Sequence, residues 1–135
     1  EVLNVRQNKC SDSYQWRVFD LSMLVSLREL TVECDCYEAV EVVKLVGMHE
    51  LERVVIGSCC FQEVYNPTSD NCEKRRFYVK DCEKLRELRI GYRSFSDYSV
   101  CAIENVPSLE VIEIGTMEDH CGNFRYANEL VLRSP

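Results

Sequence analysis

Cys34-x-Cys36 and Cys59-Cys60 are tight cysteine pairs in a chain of 135 residues with nine cysteines in all. Thiolates are nucleophiles and soft metal ligands, so such pairs raise metal binding and redox exchange first. Neither pair has the Cys-x-x-Cys spacing of zinc ribbons or thioredoxin-like sites. Four ligands converging on one ion are not found, so no metal and no cofactor are expected. The two histidines, His49 and His120, stand far apart in the chain. No Gly-x-Ser-x-Gly, P-loop, dinucleotide fingerprint or His-Glu-x-x-His occurs. No catalytic residue is expected, and no small-molecule substrate is evident. What remains is recognition, and that depends on which side chains share a face.

The spacing of apolar residues sets those faces. Leu85-x-x-Leu88-x-Ile90-Gly91 matches Leu51-x-x-Val54-x-Ile56-Gly57 and Leu109-x-x-Ile112-x-Ile114-Gly115. It also matches Leu27-x-x-Leu30-x-Val32, and Leu3-x-Val5 in part. The step is 24 residues from Leu27 to Leu51 and from Leu85 to Leu109, and 34 from Leu51 to Leu85. A second apolar triplet precedes each copy: Phe19/Leu21/Leu24, Val43/Leu45/Met48, Phe77/Val79/Cys82 and Cys101/Ile103/Val106, with Leu130 and Leu132 opening another. Self-similarity at such a period signals a solenoid. Leu-x-Ile has the period of two of a strand, and the leading leucine enters the core from a corner. Gly57, Gly91 and Gly115 close each strand, where a turn with positive φ is expected. The preceding triplets predict a second, shorter strand on the outer side. Residues 37–46 read as strand or irregular, rich in Val and Tyr, with an outer helix as the alternative.

The pattern resembles the leucine-rich repeat family, whose consensus is L-x-x-L-x-L-x-x-N/C-x-L. Residues 85–95 match as Leu85, Leu88, Ile90, Arg93 and Phe95, and residues 51–61 as Leu51, Val54, Ile56, Cys59 and Phe61. Asp35, Arg93 and Met117 depart at the Asn/Cys position, and Asp119 departs at the last apolar one, marking a divergent short-repeat type. The resemblance implies a mainly β solenoid, an arc with a parallel inner sheet and short strands or irregular segments outside. The array divides into repeats 1–26, 27–50, 51–84, 85–108 and 109–135, expected to be a fragment of a longer array. In this register Cys59 is expected to bury its small side chain against main chain. Cys36 and Cys60 share a column, which makes them the disulfide candidate.

Outward columns follow. Glu1, Arg28, Glu52, Arg86 and Glu110 alternate in charge, as do Glu29, Arg53 and Glu87, which predicts salt-bridge ladders. Arg53, Arg89 and Tyr92 group as an aromatic–arginine cluster of the kind enriched at interface hot spots, with Arg93 beside them. Tyr65 lies in the only long insertion, Val64 to Arg75, which reads as a surface loop. These five residues are the candidate partner-binding set.

Composition narrows the partner. A net charge of −7 argues against nucleic acid or anionic membrane, both of which select basic surfaces. No apolar run approaches the ~18 residues of a membrane span, so membrane insertion is not expected. An odd cysteine count and a single sequon blocked by proline, Asn66-Pro67-Thr68, favour a reduced cytoplasmic chain, with the cell surface left open. The expected function is a non-enzymatic protein-interaction module. The alternative is a structural or cell-surface spacer or adhesin segment.

Overall fold

The computed structural model describes residues 1–6, 17–34, 36–37, 40–61, 74–115, 123–124, 127 and 129–133. Among the described residues, ten strands alternate between two parallel five-stranded sheets. The front sheet comprises β1 (Val2–Val5), β3 (Glu29–Val32), β5 (Arg53–Ile56), β7 (Glu87–Ile90) and β9 (Val111–Ile114). The back sheet comprises β2 (Val18–Asp20), β4 (Val42–Val46), β6 (Arg76–Lys80), β8 (Val100–Glu104) and β10 (Glu129–Arg133). The chain is a β-solenoid of about four turns, with no helix among the described residues. Residues 42–46 are strand, which removes the outer-helix alternative there.

The register follows the repeat residue for residue. Leu3, Leu30, Val54, Leu88 and Ile112 stack in one column. Phe19, Val43, Phe77, Cys101 and Leu130 stack in another. Inward residues are buried while outward ones stay open, as the strand period of two requires. The corner leucines Leu27, Leu51 and Leu85 are buried, and tight turns bring them in: the Leu51 N–H donates to Met48 O (3.2 Å) and the Leu85 N–H to Cys82 O (3.3 Å). Ile112, Ile114, Leu130 and Leu132 belong to buried columns yet stand 38–67 % exposed, because β9 and β10 have a paired neighbour on one side only.

A stack of rings runs through the turns where the front strands hand over to the back sheet. Tyr37 lies on Phe61 (5.1 Å between centroids), Phe61 on Phe95 (4.9 Å) and Phe95 on Phe124 (5.4 Å), all within 10° of parallel. The repeat expected Asp119 to leave this position empty in the last turn. Asp119 is outside the described residues, and Phe124, five residues on, fills the column. The connection from β9 to β10 (115–128) is longer than those of 33–41 and 91–99, so a fixed offset points to the wrong residue. All four ring residues have left-handed backbones, with φ between 49° and 61°. That conformation costs a side-chain-bearing residue ~1–2 kcal/mol, which ring stacking and burial must offset.

The strand-end glycines are needed for a reason other than the one expected. Gly115 does have positive φ (79°), but Gly57 and Gly91 do not. At these two positions the stacked turns approach so closely that a Cβ has no room. A Cβ on Gly91 would lie 2.6 Å from the Gly57 carbonyl carbon, and one on Gly57 would lie 2.9 Å from Cys34 N. A further left-handed position lies between the back and front strands, where Gly47 (φ 65°), Asp81 (φ 55°) and Asn105 (φ 52°) form a column of the residue types that tolerate it. Here a side chain is accepted: the Asn105 amide donates to Asp81 Oδ1 (2.8 Å), and nothing lies within 4 Å of a Cβ on Gly47.

The two glycine sites therefore predict opposite outcomes. Gly91→Ala should cost about 2 kcal/mol through main-chain overpacking. Gly47→Asn has room for its side chain and should cost no more than about 1 kcal/mol, the left-handed strain that asparagine tolerates best after glycine. Urea denaturation of the two variants measures both, and equal losses would contradict the steric account.

Candidate interaction surface

Arg53 and Arg89 project outward from β5 and β7, and the structure does bring them together, through carboxylates. Arg53 Nε lies 3.2 Å from Glu87 Oε2, and Arg89 Nε lies 3.5 Å from the same oxygen. Arg89 also pairs with Glu113 through Nη1. The result is one network, Arg53–Glu87–Arg89–Glu113, across three strands. The neighbouring column pairs Arg28 with Glu52 (3.0 Å) and Arg86 with Glu110 (3.6 Å), as its alternating charges require. Such exposed pairs contribute ~0–1 kcal/mol each. Nearby, Lys84 meets Glu50 at 2.9 Å, and the ammonium holds that carboxyl below its ordinary value. An open recess of about 430 Å³ is lined by Arg28, Glu52, Lys84, Arg86 and Ser108. Its cations all have carboxylate partners, so it offers no surplus charge to an anion.

Tyr92 and Arg93 form a separate pair where β7 ends. The Arg93 guanidinium lies over the Tyr92 ring at 5.1 Å, a cation–π contact. A left-handed backbone at Arg93 (φ 59°), matched at Cys59 one turn earlier (φ 59°), fixes the local course of the chain. Main chain also holds the position, with the Cys59 N–H donating to Tyr92 O at 2.8 Å. The remaining candidate, Tyr65, lies outside the described residues, as does the insertion over 64–73.

The thiols have a structural task, performed one residue away from the expected place. Cys59 is half-exposed, whereas Cys60 is buried. Cys36 Sγ donates to Arg6 O (3.4 Å), Cys60 Sγ to Glu33 O (2.9 Å), Ser94 Oγ to Gly57 O (2.6 Å) and the Asn123 amide to Gly91 O (2.7 Å). Thiol, thiol, hydroxyl and amide thus form one column, each capping a carbonyl of the preceding turn. Cys59 itself has a left-handed backbone (φ 59°) and stands half-exposed. Cys36 and Cys60 each direct the thiol to a main-chain carbonyl and not to each other, so the disulfide candidate is not realised. The same column occupies the Gly57 and Gly91 carbonyls, so the glycine rim is a packing seam and does not present main chain to a partner.

Burial pushes the Cys60 and Cys101 thiols up to about 12 and raises Cys82 as well. Among the described residues no group of three His, Cys, Asp or Glu side chains is arranged to hold a metal. His49 sits in an exposed turn 3.6 Å from Glu83, and His120 lies outside the described residues.

One polar cluster escaped the repeat. Arg75, which the insertion reading assigned to a surface loop, is buried with Asp97, Nε to Oδ2 at 3.3 Å. Arg75 Nη1 and the Tyr98 hydroxyl both donate to Val40 O, at 3.4 and 2.5 Å. The signal was present in the strand period. Arg75 stands two residues before Phe77 and so continues the inward row of β6, as Ser99 does ahead of Cys101.

No family model matches the chain, and comparisons with curated proteins and with solved structures return no match.

The thiol environments predict a reactivity order and a pH trend. With a thiol reagent at pH 8, Cys34 and Cys59 should be labelled quickly, and Cys36, Cys60, Cys82 and Cys101 only on unfolding, as mapped by mass spectrometry. Rapid labelling of Cys60 in the folded chain would contradict its burial. Because the folded pKa of Cys60 and Cys101 lies above the ordinary value of 9.0, the fold holds more protons than the unfolded chain above that pH. Their contribution is complete below about pH 9 and should be lost as pH rises toward about 12, seen as a falling urea midpoint.

Proposed function

We propose that this chain is a non-enzymatic protein-interaction module of the leucine-rich-repeat type, with the front sheet and the Tyr92–Arg93 pair beyond the end of β7 as the recognition surface. The observation behind this reading is that Arg53 and Arg89 project outward from adjacent strands of the front sheet, with the Tyr92–Arg93 pair just past the end of β7. Tyrosine and arginine offer large contact area and strong hydrogen bonding at low ordering cost, which is why they anchor interfaces. Rigid strands supply the preorganisation that limits the entropy lost on binding. The arginines are already matched by Glu87 and Glu113, so binding would rest on shape and the Tyr92–Arg93 pair more than on long-range attraction. That self-neutralisation is also what a structural or cell-surface spacer would carry, which keeps the spacer as the second reading.

Comparing recovered partners separates the two. Wild type, Arg89→Ala/Tyr92→Ala and a back-sheet control, Lys44→Ala, are used as bait under identical conditions. A binding front sheet predicts at least a tenfold loss of a specific partner with the double variant and none with the control. Equal recovery by all three removes the front-sheet reading.

A further inference from the structure

We infer that the buried Arg75–Asp97 pair is a register lock, which decides where the chain re-enters the back sheet after its longest connection. Two of the connections between front and back sheet, 33–41 and 91–99, are short and leave the next strand little freedom. The connection 57–75 is much longer, so chain length does not fix where β6 begins. Hydrophobic alternation does not fix it either, because a slip of two residues keeps the same set of side chains inward. The inward row of this strand reads Arg75, Phe77 and Val79, with Phe77 opposite Val43 and Val79 opposite Leu45. Slipped by two, Arg75 would face Val43 and Phe77 would face Leu45. The long connection has the residues to give, and the turn at 81–86 would take them in.

Charge breaks this tie. In the observed register the Arg75 guanidinium meets Asp97 at 3.3 Å and Val40 O at 3.4 Å, and lies 5.8 Å above the Tyr98 ring. Its own carbonyl accepts from Ser99 N (2.9 Å) and Ser99 Oγ (3.1 Å). Three successive turns are thereby tied at one point. In the slipped register the same cation would enter the apolar core between Val43 and Cys101, away from its carboxylate. Burying an unmatched charge is far more costly than any mismatch of apolar shape. Both side chains of the pair are 4 % exposed, whereas the partners in the other ion pairs of the described residues are 27 % exposed or more. The buried pair sits at the one entry point that the long connection leaves loose.

A stabilising pair and a register-setting pair behave differently when both charges are removed. Arg75→Met/Asp97→Leu fills the space with apolar side chains and makes residues 75, 77 and 79 three equivalent inward positions. The full chain is labelled with nitrogen-15 and compared with the single variants and with Arg28→Met/Glu52→Leu, which removes an exposed pair. A lock predicts a marked fall in urea midpoint for each single variant and a midpoint in the double variant at or above the parent's. It also predicts doubled amide signals over residues 76–80 in the double variant alone, with the second set carrying contacts between Phe77 and Leu45. One set of signals with Phe77 opposite Val43 overturns the inference. A double variant that does not fold overturns it too, since the pair would then be a source of stability.

Discussion

Main-chain pairing between successive turns, with strands in parallel register about 4.8 Å apart, is the constraint from which the rest of this molecule follows. Each residue must tolerate its own counterpart directly above and below. Leucine and valine do so by packing, as in the column from Leu3 to Ile112. Flat rings do so by stacking, which is why Tyr37, Phe61, Phe95 and Phe124 can repeat at the tightest bend. Like charges cannot, so Arg28 is followed by Glu52 and Arg86 by Glu110. Where two turns come closest, only hydrogen fits, and Gly57 and Gly91 supply it.

The same constraint shapes the face proposed for recognition. Columns of alternating charge neutralise themselves, so Arg53 and Arg89 are held in fixed positions by Glu87 and Glu113. A protein with a net charge of −7 thereby presents a front sheet with little field of its own. Tyr92 and Arg93 are different: they lie past the strand end, where stacking no longer dictates the neighbour. Side chains can vary there without breaking the array, and recognition can be placed there at the least structural cost.

Carbonyl groups at the bend have no strand partner on one side and need a donor from a side chain. Four residues of three chemistries, Cys36, Cys60, Ser94 and Asn123, fill that need in successive turns. Their common property is a short side chain with a donor, so the column is conserved in function along the array though not in residue type. The Cys60 thiol in this role is buried, and burial disfavours its ionisation, which suits a structural cysteine.

The parallel front sheet, its register, the corner leucines and an outer strand were legible in the sequence, because period-two alternation and a 24-residue step are linear properties of the chain. So were the opposite charges of Arg28 and Glu52, which stand that step apart. A full second parallel sheet, with strands mostly longer than those in front, was not. Left-handed bends were not legible either: Cys59 takes one, and Cys60 is buried where Cys59 was expected. Nor could an offset survive a longer connection, so Phe124 took the place assigned to Asp119. At Gly57 and Gly91 the reason for glycine is the closeness of the stacked turns, where a Cβ would lie under 3 Å from the neighbouring main chain, a relation between turns that no single repeat contains. Arg75 finding Asp97 was a matter of three-dimensional closure alone. The sequence specifies what each turn can stack upon, while the tertiary structure decides which carbonyls and charges then lie close enough to require a partner.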